Sequence, residues 1–428
     1  MKRSSLKRGV AIALSLLMIV VFTPTIAFAD AGDTEQVTLP VTEADLTEKV
    51  VGTSNQNFFE DYAKDSEPAL QEHSSGSLTA NTISTPSELP GNACKVTLDR
   101  GSQMEKSYGL YQSAELNKGI VGVHGAMSAN GSKYAYSRFA VFSDKNLTQQ
   151  VDGYMYVSEY ATSQGQDSIG YFRIPKAGTY YFVSYALYSA DTDADDWRGA
   201  TQMSVTLIIN QYAQAKKGTK LKANRVYGVY SKPGATTTFK NKAAKTGTLH
   251  VTTDEYTKTK LKSKKGKLLG PQKDANYPPT FGVKKRTTYK LAVTTPKDSY
   301  NYGYYIYLTN SKVKSRAGTS QKKAGKLTQN KPKDGLIIAG KKKAQWFKFK
   351  VTKKADIQIY VLGNTNKKFK IEFYKGKTKL KNWTTDFDYK MSYRTVTSTS
   401  PVPKGTYYVK VSPTKQSSGA CSVVWQYK

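Results

Sequence analysis

The chain has 428 residues, with 65 Lys or Arg against 32 Asp or Glu, a formal net charge of +33. The two cysteines and three histidines are scattered along the chain, so no clustered Cys/His zinc site is expected. A balance this basic repels itself at neutral pH and requires burial elsewhere or a polyanionic partner. The charge is unevenly placed. Residues 211–428 carry 49 bases and 9 acids, residues 30–90 carry 2 bases and 12 acids, and residues 91–210 carry 10 bases and 11 acids.

Residues 1–29 read as a secretory signal peptide. Lys2, Arg3, Lys7 and Arg8 precede an apolar run, Val10 to Phe22, and Ala27-Phe28-Ala29 places small residues before Asp30. The run is short for a membrane span, and no later segment is apolar enough to cross a bilayer. The C-terminal Val423-Val424-Trp425-Gln426-Tyr427-Lys428 reads as a strand rather than a sorting signal. A secreted chain is the expectation, with any attachment to a cell wall non-covalent. Residues 30–90 are acidic and poor in apolar periodicity, which predicts a disordered leader. A short helix around Phe58, Phe59, Tyr62 and Leu70 is its one ordered candidate. The opposite charges suggest a leader that folds back over the basic half.

From Gly91 onward the pattern is β. Phe347, Phe349 and Val351 alternate with Lys348, Lys350 and Thr352, and Phe369, Ile371 and Phe373 alternate with Lys368, Lys370 and Glu372. One apolar and one Lys face per strand describes antiparallel sheets with one side on a core and one in water. The fold class predicted is all-β, three tandem antiparallel β-sandwiches after the signal peptide and leader. The motif Pro175-Lys176-Ala177-Gly178-Thr179-Tyr180-Tyr181 recurs as Pro403-Lys404-Gly405-Thr406-Tyr407-Tyr408, with a weaker copy over Lys284-Lys285-Arg286-Thr287-Thr288-Tyr289. Each copy reads as a tight turn into a penultimate strand. One copy per domain gives a neutral, Tyr-rich sandwich over 91–210 and Lys-rich sandwiches over 211–315 and 316–428. The stretch from Lys312 to Asp334 reads as an exposed linker or a long first loop.

Over Ala339 to Tyr427 the order of elements resembles the bacterial pre-peptidase C-terminal domain family. Strands at Trp346 to Val351, Ala355 to Val361 and Lys368 to Gly376 lead to Pro403-Lys404-Gly405-Thr406-Tyr407-Tyr408-Val409 and Ser418 to Val424. The resemblance implies a small β-sandwich often appended to secreted hydrolases, usually without catalysis of its own. It also implies carboxylates on the third strand that contribute to calcium sites. Lys368 and Lys370 stand at those places in this sequence.

No catalytic constellation emerges, and the chain reads as a non-enzyme. His73 lies in the leader, and His124 and His250 sit in β-patterns without a nucleophile elbow. The run Asp191, Asp193, Asp195 and Asp196 reads either as a solvated loop or as a weak calcium candidate, lacking the Gly and Glu of an EF-hand loop. No other cofactor is indicated. Cys94 and Cys421 are a disulfide candidate or two small buried strand residues.

Lys outnumbers Arg 45 to 4 in the basic half. Ammonium groups favour diffuse attraction to repeated anions over bidentate reading, so sequence-specific nucleic-acid recognition is not expected. The densest clusters are Lys258, Lys260, Lys262, Lys264, Lys265 and Lys267, and then Lys341, Lys342 and Lys343. They predict retention on teichoic acids or glycosaminoglycans; the bland alternative is Lys as surface decoration that blocks edge pairing. A second function class is carbohydrate binding by outward tyrosines among Tyr108, Tyr111, Tyr134, Tyr136, Tyr154, Tyr156 and Tyr160.

Overall fold

A computed structural model describes residues 46–50, 69–73, 81–82, 93–99, 108–130, 134–146, 148–160, 168–187, 202–253, 257–272, 278–297, 302–385, 392–397 and 401–427. The expected signal peptide and the Asp191–Asp196 run lie outside the described residues. Every named element is a β-strand, and no described helix is long and apolar enough to cross a membrane.

Three short strands fall in the acidic leader: β1 (Leu46–Val50), β2 (Ala69–His73) and β3 (Asn81–Thr82). The first sandwich follows with β4 (Ala93–Asp99), β5 (Tyr108–Leu116), β6 (Gly119–Asn130), β7 (Tyr134–Phe142), β8 (Gly153–Tyr160), β9 (Ser168–Ile174), β10 (Gly178–Leu187) and β11 (Gln202–Gln214). One side runs β5-β10-β7-β8, the other β9-β6-β11, and β8 bridges the two by pairing with both β7 and β9. The leader departs from the disorder expected of it at these three strands. β2 adds in parallel to β5, β1 adds to β2, and β3 adds in parallel to β11. An open sheet edge offers unpaired N–H and C=O groups, and backbone pairing needs little hydrophobic content. These strands cover the first sandwich, not the Lys-rich ones, so they do not support a leader folded over the basic half.

The second sandwich contains β12 (Val226–Tyr230), β13 (Thr236–Lys242), β14 (Gly247–Thr253), β15 (Lys258–Ser263), β16 (Leu268–Pro271), β17 (Thr280–Val283), β18 (Thr288–Thr294) and β19 (Gly303–Lys312). Its sheets are β12-β19-β14-β17 and β13-β18-β15-β16. Phe239, Leu261, Leu291 and Val293 from one sheet meet Leu249, Phe281, Tyr304 and Ile306 from the other in a closed core. The third sandwich contains β20 (Gly325–Lys326), β21 (Lys333–Ile337), β22 (Gln345–Val351), β23 (Ile357–Thr365), β24 (Phe369–Lys375), β25 (Thr378–Thr385), β26 (Ser392–Thr397), β27 (Gly405–Pro413) and β28 (Gly419–Tyr427). Its sheets are β20-β22-β27-β24-β25 and β21-β28-β23-β26. The alternation read from the sequence holds, since Phe347, Phe349, Val351, Phe369, Ile371 and Phe373 all enter one core. Phe349 stacks between Tyr407 and Trp425, with ring centroids 5.7 and 4.6 Å away.

The repeated motif opens β10, β18 and β27, each followed by the last strand of its sandwich. Its first tyrosine ties the turn back to the chain. Tyr180 Oη donates to the Lys176 carbonyl at 2.8 Å and Tyr407 Oη to the Pro403 carbonyl at 2.7 Å. The middle copy reverses the bond, with Lys284 N–H donating to Tyr289 Oη at 2.9 Å. Thr287 stands there where the other copies carry Gly178 and Gly405, and Arg286 before it takes φ 63°, so the middle turn has a different local geometry. A further likeness joins the two Lys-rich sandwiches. Leu221 N–H donates to the Lys240 carbonyl and Leu327 N–H to the Lys348 carbonyl. Asn224 N–H donates to the Leu308 carbonyl, and Asn330 N–H to that of Trp425. Both asparagines lie at φ 59°. The stretch Lys312 to Asp334 is therefore a docked first hook, with Leu327 buried in the third core.

The sandwiches meet without free linkers. β11 runs through the boundary expected at residue 210 and pairs in parallel with β12. Tyr171, Tyr212, Ile120, Val226 and Tyr305 form a small core at that seam. Tyr305 N–H donates to Tyr171 Oη at 3.0 Å. At the second seam, Ala339 N–H donates to the Gly282 carbonyl at 2.8 Å and Gly282 N–H to Ser418 Oγ at 3.3 Å. A Cβ at Gly282 would fall on the Ile337 carbonyl oxygen. Gly282→Ala should therefore cost about 1–3 kcal/mol through overpacking against backbone. Chemical denaturation should show this together with faster proteolysis between residues 312 and 334; unchanged stability would contradict the close seam.

Candidate polyanion-binding face

Strand alternation turns Phe239, Asn241, Tyr289, Leu291, Thr259 and Leu261 into the second core, and so turns Lys240, Lys242, Lys290, Lys258, Lys260 and Lys262 outward. Register then decides which lysines become neighbours. Lys290 on β18 stands opposite Lys240 on β13 and opposite Lys262 on β15. Lys220, beside Leu221 in the corresponding first segment of the second sandwich, bridges in parallel to Lys240. Four lysines from four separate segments thus lie abreast, Lys220-Lys240-Lys290-Lys262, at the strand spacing of about 4.8 Å. Neighbouring unit charges at that spacing repel by roughly 1 kcal/mol in water, less as the stems splay. No acidic residue occurs on β13, β15, β16 or β18.

Lys264, Lys265 and Lys267 continue this face. They form the exposed tip of the β15–β16 hairpin, closed by Ser263 N–H donating to the Lys267 carbonyl at 2.8 Å. Lys341, Lys342 and Lys343 form an exposed turn between β21 and β22. The two clusters are distant in sequence, but the fold brings them to one edge. Gly340 packs against Leu269 of β16, where a Cβ would lie 2.7 Å from Leu269 Cδ2. The sequence singled out the dense runs and missed Lys220, Lys240 and Lys290. These occur singly between core residues, and only register shows that they align.

The equivalent face of the third sandwich has a different chemistry. Lys326 and Lys348 occupy the places of Lys220 and Lys240, but Tyr408, Tyr374 and Lys379 follow across the sheet. Trp346 and Tyr374 lie with ring centroids 5.4 Å apart, and Lys410 Nζ sits 5.4 Å above the Trp346 ring. Glu372 is the one acid on this face among the described residues, and it gathers Lys410, Lys370 and Lys379 at 2.8, 3.3 and 3.7 Å. Burial works to raise its carboxyl, but the hydrogen bonds and charges of Lys410 and Lys370 outweigh burial and hold it below its ordinary value. No acid on the strands of the second sandwich's lysine sheet plays this part.

The remaining candidates separate as follows. Cys421 is a free thiol buried in the third core, so the bridge considered to Cys94 is not formed. Burial and the nearby Asp334 charge push its thiol up to about 12, despite a Gly335 N–H that works the other way. Cys94 lies on β4 at the edge of the first sandwich, against Leu207 of β11. No cluster of His, Cys, Asp and Glu set to hold a metal ion occurs among the described residues. The side chains of Tyr108, Tyr111, Tyr134, Tyr136, Tyr154, Tyr156 and Tyr160 lie outside those described, as do those of His73 and His124.

His250 is tied into the sheet, with Nδ1 2.8 Å from Thr280 Oγ1. Burial pushes its imidazole down to about 4. Because the unfolded imidazole protonates near 6.5, its contribution to stability is complete above that pH and is lost as pH falls toward 4. The loss should reach roughly 3 kcal/mol. His250→Gln should flatten the stability curve between pH 6.5 and 4.5 in urea denaturation; an unchanged slope would assign that loss to other groups.

No family model matches this chain, and no curated protein matches it. A solved structure described as "The Triple Jelly Roll Fold and Turret Assembly in an Archaeal Virus" aligns over 90% of this chain and 89% of that chain, at 8% identity and a TM-score of 0.18. A likeness at that level carries no argument about this chain.

Proposed function

We propose that this is a secreted, non-catalytic protein that adheres to polyanions through the lysine face of the second sandwich. One observation carries the reading: the row Lys220-Lys240-Lys290-Lys262 stands on a sheet without a single acid. Solubility does not need aligned like charges, since interspersed signs serve it better. A linear anion with repeated phosphates or sulfates would lie across the strands and relieve the repulsion between neighbours. The signal-peptide pattern of residues 1–29 supports export to where wall teichoic acids and glycosaminoglycans are found. Lys rather than Arg makes the attraction a sum of point charges, each modest and released by salt.

The test replaces Lys240, Lys290 and Lys262 together by Gln in residues 30–428. Log affinity for heparin and for teichoic acid should become less steep in log salt by about 2 to 3, roughly 0.9 for each ammonium removed from the anion. Thermal stability should stay level or rise, since a repulsion is removed. A slope equal to that of the parent protein would remove this face as the site. Binding that persists in high salt would instead favour recognition of neutral sugar rings.

A further inference from the structure

The lysine row ends at β16, the outer strand of its sheet, and what covers that strand is itself basic. Loops of the third sandwich close over β16 at three places. Asn366 Nδ2 donates to the Pro271 carbonyl at 2.7 Å and to the Gln416 carbonyl at 3.2 Å. A Cβ on Gly270 would meet Asn366 Nδ2 at 2.9 Å and the Gln416 carbonyl at 3.2 Å. Gly340 meets Leu269. A lysine directly follows or precedes each of these residues: Lys367 after Asn366, Lys415 before Gln416, and Lys341, Lys342 and Lys343 after Gly340. No acid occurs in residues 338–344, 366–368 or 414–418. The side chains that hold the two sandwiches together are neutral, so none of these contacts uses up an ammonium.

We propose that the second and third sandwiches together form one continuous cationic track, along which a single linear polyphosphate-type chain runs from the Lys220-Lys240-Lys290-Lys262 row, over β16, onto the loops bearing Lys341, Lys342, Lys343, Lys367 and Lys415. This rests on the proposed polyanion binding and adds that the ligand is a chain long enough to cross the seam. The close seam at Gly282, Ala339 and Ser418 fixes the spacing of the two parts. A chain bound at the row therefore meets the loop lysines at high effective concentration rather than by a second encounter. Lys353 and Lys354, exposed at the opposite end of β22, lie off the track.

The experiment compares tripolyphosphate, too short to reach both parts, with long-chain polyphosphate. The proteins are the parent, the Lys341→Gln/Lys342→Gln/Lys343→Gln variant and the Lys353→Gln/Lys354→Gln variant. Affinity per phosphate should rise by at least about tenfold from the short to the long probe in the parent. The first variant should lose that gain while keeping tripolyphosphate affinity, and the second should keep both. Equal loss in the two variants would reduce the effect to net charge and overturn the track. Retention of the gain in the first variant would end the site at β16, with the row reading intact. If the parent binds neither probe, the polyanion reading fails as a whole.

Discussion

Ammonium groups placed abreast on a sheet repel one another, and the second sandwich holds four in line against that repulsion. What holds them is the core on the other side of the same strands. Each outward lysine of β13, β15 and β18 sits between residues such as Phe239, Leu261 and Leu291 that are removed from water. Burying one such side chain contributes about 1.5–3 kcal/mol, more than the roughly 1 kcal/mol by which neighbouring charges repel in water. The fold therefore keeps the face despite that repulsion. In the third sandwich Glu372 answers three lysines from within the chain, so the two copies of one architecture carry different surfaces.

The seams between sandwiches give the charge its reach. β11 passes directly into pairing with β12, so the first sandwich and one sheet of the second share a hydrogen-bonded ribbon. The second seam rests on the backbone approach of Gly282 to Ile337 and on Asn366 reaching Pro271. Backbone contacts of this kind leave little room for rotation. A fixed seam turns two separate basic patches into a path, whereas a flexible linker would leave two weak sites.

Much of the architecture was legible in the sequence because strand physics has a short period. Phe347, Phe349 and Val351 alternating with lysine state a half-buried strand without further information, and a Thr-Tyr pair after a turn marked each penultimate strand. What was not legible depends on register and on pairing between distant segments. Lys240 and Lys290 look ordinary in their own strands, and nothing local says that they face each other. The leader strands β2 and β3 were missed because they add to sheet edges through backbone groups, which leave no side-chain pattern. The expected break near residue 210 was displaced because β11 serves two sheets, a role that composition does not record. The Cys94–Cys421 bridge failed for a similar reason: Cys421 points into the third core opposite Gly335 and is closed off by it.

The central claim is that a polyanion sits on one named set of lysines. Amine acetylation followed by mass spectrometry, with and without bound polyanion, reads that set residue by residue. Lys240, Lys262, Lys290 and Lys341 to Lys343 should become protected together, while Lys353 and Lys354 keep their reactivity. Uniform protection of all exposed lysines, or protection confined to the Glu372 face, would contradict the account.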